Sequence, residues 1–168
     1  MDDVVQETII GGVWIFLGNL SISLGGFVFW LVIARLVGAE ALGVASAVVS
    51  CSGIAVTFVS AGLGIAVMRE VAVNGLSALT ASMLLALVMG VGAAFLAAFL
   101  AHGLGYLDLV GIAFLLALAN TICNPLLFGL LGLERFRGYF VASFTGSLAK
   151  LLLGIAFAVL GFRVLAPL

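Results

Sequence analysis

Charge is the scarcest feature of this sequence. Its 168 residues hold six Lys+Arg and seven Asp+Glu, 8% of the chain. A soluble domain carries about 25%, because water has to solvate its surface. So few ionisable groups exclude a water-exposed globule of this length. The near-neutral balance, net −1 with pI ≈ 5.6, leaves no basic patch or stripe for nucleic acid. His102 is the single histidine, and it sits in a polar break away from both cysteines. Cys51 and Cys123 fall inside apolar runs, where they read as small buried hydrophobes and not as a disulfide. Neither a metal site nor a cofactor is expected. Catalytic constellations are missing as well: there is no Ser/His/Asp set, no carboxylate pair inside a span, and no phosphate-cradling glycine loop. Ala61-Gly62-Leu63-Gly64 has two close glycines without the rest of such a fingerprint. The chain is not expected to be an enzyme.

What remains is apolar. Hydrophobic residues make up 65% of the chain and its mean hydropathy is +1.46. In lipid the backbone must satisfy its own hydrogen bonds, which leaves helices or a closed barrel. Barrel strands alternate apolar and polar residues over about ten positions. Here the apolar runs are continuous and about twice that length, so the sequence predicts an all-α membrane protein. The start, Met1-Asp2-Asp3-Val4-Val5-Gln6-Glu7, is acidic where a cleavable signal is basic, so the first apolar run is expected to be retained.

About 20 apolar residues cross a bilayer. After a short acidic segment, residues 1–8, the runs 9–37, 42–68, 76–101, 106–133 and 139–162 qualify. Residues 163–168 look like the start of a sixth span. The first two runs exceed the bilayer and must tilt or bend. Polar breaks fall at Arg69-Glu70 through Asn74-Gly75, at His102 to Gly105, and at Glu134 to Gly138. Trp14 and Trp30, about 24 Å apart along a helix, suit anchors near opposite interfaces, as do Tyr106 and Tyr139. An amino terminus in the cytoplasm puts Arg69, Arg135 and Arg137 inside and Arg35 and Arg163 outside, favoured by one positive charge.

Inside the runs, the few polar residues carry the information. Gly12, Asn19, Ser23, Gly26 and Trp30 form one stripe on the first span, with Gly11, Gly18 and Gly25 beside it at intervals of seven. Ser46, Ser50, Gly53, Thr57, Ser60 and Gly64 share a face of the second. Asn120 and Asn124 precede Pro125 in the fourth, where proline makes a hinge or a bend. Ser143, Ser147, Lys150 and Gly154 line the fifth. The third, almost without polar side chains beyond Ser82, is expected to be an outer, lipid-facing helix. Such stripes either pack helices, since small residues permit close approach, or line a shared polar cavity.

Lys150 lies near mid-span, too deep for easy snorkelling, and no Asp or Glu sits in a span interior beside it. A cation there costs about 2.5–3.5 kcal/mol on insertion scales. It bonds to carbonyls or to Asn and Ser neighbours, meets an acid outside this chain, or holds an anionic ligand such as a phosphate, for which lysine serves as a point charge. Arg35 is an interface anchor or a second positive charge at the cavity mouth. Lys150, Arg35, Asn19, Asn120, Asn124 and Ser147 are therefore the candidates for a substrate-binding cavity.

Several short segments, in order, resemble polysaccharide biosynthesis flippases of the MATE-like (MOP) exporter superfamily. These are Ile33-Ala34-Arg35-Leu36-Val37-Gly38-Ala39-Glu40-Ala41-Leu42-Gly43, Ala61-Gly62-Leu63-Gly64 with Arg69-Glu70, Gly132-Leu133-Glu134-Arg135, and Lys150 with Gly161. The resemblance implies the N-terminal lobe of a transporter that moves lipid-linked oligosaccharides across the cytoplasmic membrane by alternating access around a cationic cavity. It implies a lipid-linked glycan as substrate, with Lys150 attracting its diphosphate. Family members have two six-helix lobes, so a second lobe or second polypeptide is the implied partner. The same fold exporting cationic drugs would call for an acid in a span, and none lies in a span interior; a non-transporting helical scaffold is the remaining reading.

Overall fold

A computed structural model describes residues 2–159. The described residues are helical throughout, apart from short turns. α1 runs Asp2–Val37, α2 Ala39–Val59, α3 Leu63–Asn74, α4 Leu76–Gly103, α5 Val110–Gly132 and α6 Phe136–Val159, with one 3-10 turn at Leu107–Leu109. All except α3 are long and apolar enough to cross a membrane. The chain is thus a multi-pass helical membrane protein. Residues 163–168, read as the start of a sixth span, lie outside the described residues.

The second apolar run does not remain one helix. α2 stops at Val59, the Ser60 amide caps onto the Val56 carbonyl, and Gly62 takes a left-handed φ of 81° before α3 begins. That conformation is open to glycine at little cost, so the long apolar run is divided by a break. Arg69 and Glu70, read as a polar break, lie inside α3; the helix continues to Asn74, whose amide donates to the Glu70 carboxylate at 3.0 Å, and ends at Gly75 with φ 65°. Hydropathy marked that break too early because a helix leaving the membrane turns polar before it stops.

The helices form two bodies. In the larger, α4 runs antiparallel to α5 and to the α2–α3 pair. Val48, Ala55, Ala93, Ala94, Ala97, Ala101, Ala113 and Ala117 make one buried cluster; Leu63, Val67, Val71 and Ala86 make a second towards the other end. α4, expected as an outer helix, does turn one face outward, but it also packs through the other. Ser82, Ala86, Gly90, Ala93, Ala94, Ala97 and Ala101 give it a buried face of small residues, while Leu84, Val88, Phe95 and Phe99 face outward. Without a hydrophobic force between helices in lipid, small residues are what let backbones come close.

The smaller body is α1 lying parallel to α6. A Cβ at Gly11 would stand 2.8 Å from the Phe136 ring, one at Gly18 2.6 Å from the Tyr139 ring, and one at Gly25 2.7 Å from Ser147 Cβ. The seven-residue glycines are therefore the packing stripe, with aromatic ridges of α6 set into them. Tyr139 is buried in this seam and is not an interface anchor. Trp14 packs on Phe140 and under Arg137, and Trp30 on Phe29.

Candidate functional site: a polar cleft between two helical bodies

The two bodies touch mainly at their ends. At one end Phe29 and Ile33 of α1 are buried, with Trp30, Leu42 of α2 and Leu151 of α6 packed on them. At the other, Gly138 of α6 meets Leu130 of α5. Between these contacts the bodies diverge, and helical register at 3.6 residues per turn decides what faces the gap.

On α1, Gly12, Asn19, Ser23 and Gly26 share a side with Trp30, next to the Phe29 and Ile33 face on which Leu42 of α2 packs. On α2, Ser46, Ser50, Gly53 and Thr57 share the side of Leu42, which turns towards α1. On α5, Asn120 lies between the face packed on α2 (Ala113, Ala117) and the side where Leu130 meets α6, with Asn124 one turn on. On α6, Lys150 shares a side with Tyr139 and Gly146. Asn19, Ser23, Ser50, Gly53, Thr57, Asn120 and Lys150 are exposed in this chain, and a Cβ at Gly12, Gly26, Gly53 or Gly146 would meet nothing within 4 Å. Apart from Trp30 and Lys150, which contact Phe29, and Asn19, which contacts Tyr139, these residues make no close helix contact among the described residues. By register they turn towards the gap between the two bodies, a cleft.

Three contacts fix groups at the cleft wall. The Tyr139 hydroxyl donates to Asn19 Oδ1 at 2.9 Å, tying the stripe of α1 to α6. The Asn120 amide donates to its own helix at the Leu116 carbonyl, 2.8 Å away. Lys150 Nζ lies 5.0 Å from the Phe29 ring centroid, a cation–π contact. Glu40, Glu70, Asp108 and Glu134 all lie at or near helix ends, so Lys150 has no carboxylate partner among the described side chains. Its positive charge is therefore offset only by a ring face and by whatever fills the cleft.

Of the sequence candidates, Asn19, Asn120 and Lys150 turn to this cleft, while Asn124, half-buried, falls by register between Ala113 and Ala117 on the face packed on α2. Ser147 is instead half-buried in the α1–α6 seam against Gly25. Arg35 occupies the last turn of α1, on the outward side shared with Leu24 and Leu31, where its charge complements the helix C-terminus. Pro125 is buried inside α5, whose helix continues through it from Val110 to Gly132. Tyr139 was read only as an anchor; its link to Asn19 spans 120 residues and left no local signal in the sequence.

No protein-family model, curated protein or solved structure matches the chain.

Proposed function

We propose that this chain is one lobe of a membrane transporter that carries lipid-linked oligosaccharides across the cytoplasmic membrane by alternating access. The observation that carries the reading is the cleft: polar faces of α1, α2 and α5 turn to the same gap as Lys150, which no described carboxylate neutralises. Polar side chains held in hydrocarbon have to face protein or water. A mid-span lysine in such a gap attracts an anion, and a diphosphate joined to a polyprenyl chain matches both the charge and the membrane setting. The resemblance to MATE-like flippases supplies the same cargo and the same cationic cavity. Two bodies joined at their ends are suited to rock against each other, and a second lobe or polypeptide closes the open side. The amino terminus lies in the cytoplasm in this scheme, and the cargo is a lipid-linked glycan and not a nucleic acid.

Two experiments test it. Single cysteines at Ser50, Thr57 and Asn120, in a background lacking Cys51 and Cys123, are expected to react with a charged, membrane-impermeant thiol reagent in native membranes; cysteines at Leu84, Val88 and Phe99 are not. Equal protection of both sets removes the cleft. In the native host, Lys150→Met is expected to abolish export of the surface glycan at normal protein level, with Lys150→Arg retaining part of it. Undiminished export by Lys150→Met overturns the phosphate reading.

A further inference from the structure

A cavity lies at one end of the cleft, where α1 begins and α5 turns into α6. It measures about 900 Å³ and is lined by Thr8, Ile10, Gly11, Gly12, Trp14 and Ile15 on one wall and by residues 134–138 on the other. Arg135 and Arg137 stand in the second wall with Glu134, so among the described side chains two guanidinium groups against one carboxylate leave one net positive charge. The Arg137 guanidinium carbon lies 5.4 Å from the Trp14 ring centroid. A ring contact of that kind occupies none of the guanidinium N–H donors in a hydrogen bond to oxygen. Neither arginine side chain has a hydrogen bond or carboxylate partner among the described residues. The apolar lining, Ile10 and Ile15 on the opposite wall and Phe136 beside the arginines, continues into the membrane-spanning parts of α1 and α6.

We infer that this groove binds the phosphate of a lipid. The charge, the guanidinium donors and the apolar lining together fit an amphipath, with its phosphate oxygens between Arg135 and Arg137 and its chain along Ile10 and Ile15. Arginine forks match phosphate oxygens two at a time, which a diffuse surface charge does not. The groove's position at a helix end, where the membrane-spanning segments stop, is where headgroup phosphates lie. The groove adjoins the cleft at Gly12, but Arg135 and Arg137 lie outside the cleft-facing stripes, and the inference stands whatever the transported cargo is. A bilayer phospholipid and a polyprenyl diphosphate present the same group, so the assay has to separate them.

The test uses the full chain in a neutral detergent, with bound species counted by native mass spectrometry. The probes are short-chain phosphatidylglycerol, a short-chain polyprenyl diphosphate, inorganic phosphate and, as a neutral control, a short-chain diacylglycerol. Wild-type protein is expected to retain at least one phosphate-bearing lipid and not the diacylglycerol. Arg135→Gln with Arg137→Gln is expected to weaken that retention about tenfold or more, while Arg35→Gln, an exposed arginine at the other end, leaves it unchanged. Preference for phosphatidylglycerol assigns a structural lipid, and preference for the polyprenyl diphosphate assigns a loading site for cargo; either supports the inference. Binding of inorganic phosphate alone, retention of the diacylglycerol to the same extent, or equal loss in Arg35→Gln overturns it. Circular dichroism of each variant distinguishes lost binding from lost fold.

Discussion

Gly132 offers the sharpest test of how this protein holds together. It is the last residue of α5, and a Cβ placed there would stand 2.5 Å from the Met68 carbonyl oxygen and 3.1 Å from Val71 Cβ. The nearest atom is backbone, so no rotamer change relieves the clash. Gly132→Ala forces α3 and α5 apart by about 1 Å to reach an ordinary contact distance of about 3.5 Å, and so loosens the cluster of Leu63, Val67, Val71 and Ala86. Overpacking of this kind costs about 1–3 kcal/mol. The matched control is Gly26→Ala on α1, where a Cβ would meet nothing within 4 Å; there alanine gains up to about 1 kcal/mol of helix propensity. The two variants are therefore expected to separate by about 2 kcal/mol or more, roughly thirtyfold in the unfolding equilibrium. Titration with SDS in mixed micelles, followed by far-ultraviolet circular dichroism, measures the difference. A Gly132→Ala protein that unfolds together with wild type refutes the close α3–α5 approach.

The seam between α1 and α6 makes its own predictions. Tyr139→Phe, which removes the hydroxyl bonded to Asn19, is expected to cost about 0.6 kcal/mol in the same titration, the average for such bonds in a membrane. Gly25→Ala is expected to cost more, about 1–3 kcal/mol, because its Cβ would press on Ser147 at 2.7 Å; a neutral result shows that the glycine stripe is not the seam. Cys51 is buried and Cys123 exposed, so a small maleimide is expected to modify Cys123 alone in folded protein, with mass spectrometry of the digest reporting the site. Modification of Cys51 at the same rate contradicts the packing of α2 on α4 and α5.

The membrane class and most helix limits were legible because hydropathy and length set them directly. Which stripe packs was not. Gly11, Gly18 and Gly25 run next to Gly12, Asn19, Ser23 and Gly26 on α1, and both have the composition of a helix contact. The choice was made by Phe136 and Tyr139, residues more than a hundred positions away that supply the bulk for one stripe and not the other. The role of α4 was written in the sequence but in alanine: the spacing Ser82, Ala86, Gly90, Ala94, Ala97, Ala101 repeats every three or four residues. Alanine scores as apolar, so a search for polar stripes passes over it, although in lipid small size is what counts. The break between α2 and α3 was signalled by Gly62, while the unbroken hydropathy around it read as one span. The cleft itself was half legible. Lys150 and Asn120 stood out by cost, but their shared orientation needed the contacts at Leu42, Leu130 and Tyr139.

Glu134 connects backbone chemistry to the cavity lined by Arg135 and Arg137. It is the only non-glycine with positive φ among the described residues, at 56°. Its amide donates to the Leu131 carbonyl and the Arg135 amide to the Leu130 carbonyl, the paired bonds that close a helix with a left-handed residue. Glycine is the residue that takes this conformation without strain, and a side chain there costs about 1 kcal/mol. Replacement by glycine therefore relieves strain and also removes the one described carboxylate beside Arg135 and Arg137. Two variants separate these effects. Glu134→Gln keeps the strained backbone and raises the groove's charge, so lipid retention is expected to rise with little change in unfolding. Glu134→Gly is expected to raise both retention and stability, the latter by up to about 1 kcal/mol. If Glu134→Gly is no more stable than Glu134→Gln, the left-handed strain is not real. If neither variant holds phosphate-bearing lipid more tightly than wild type, the carboxylate does not face the arginines, and the groove's charge is set by other groups.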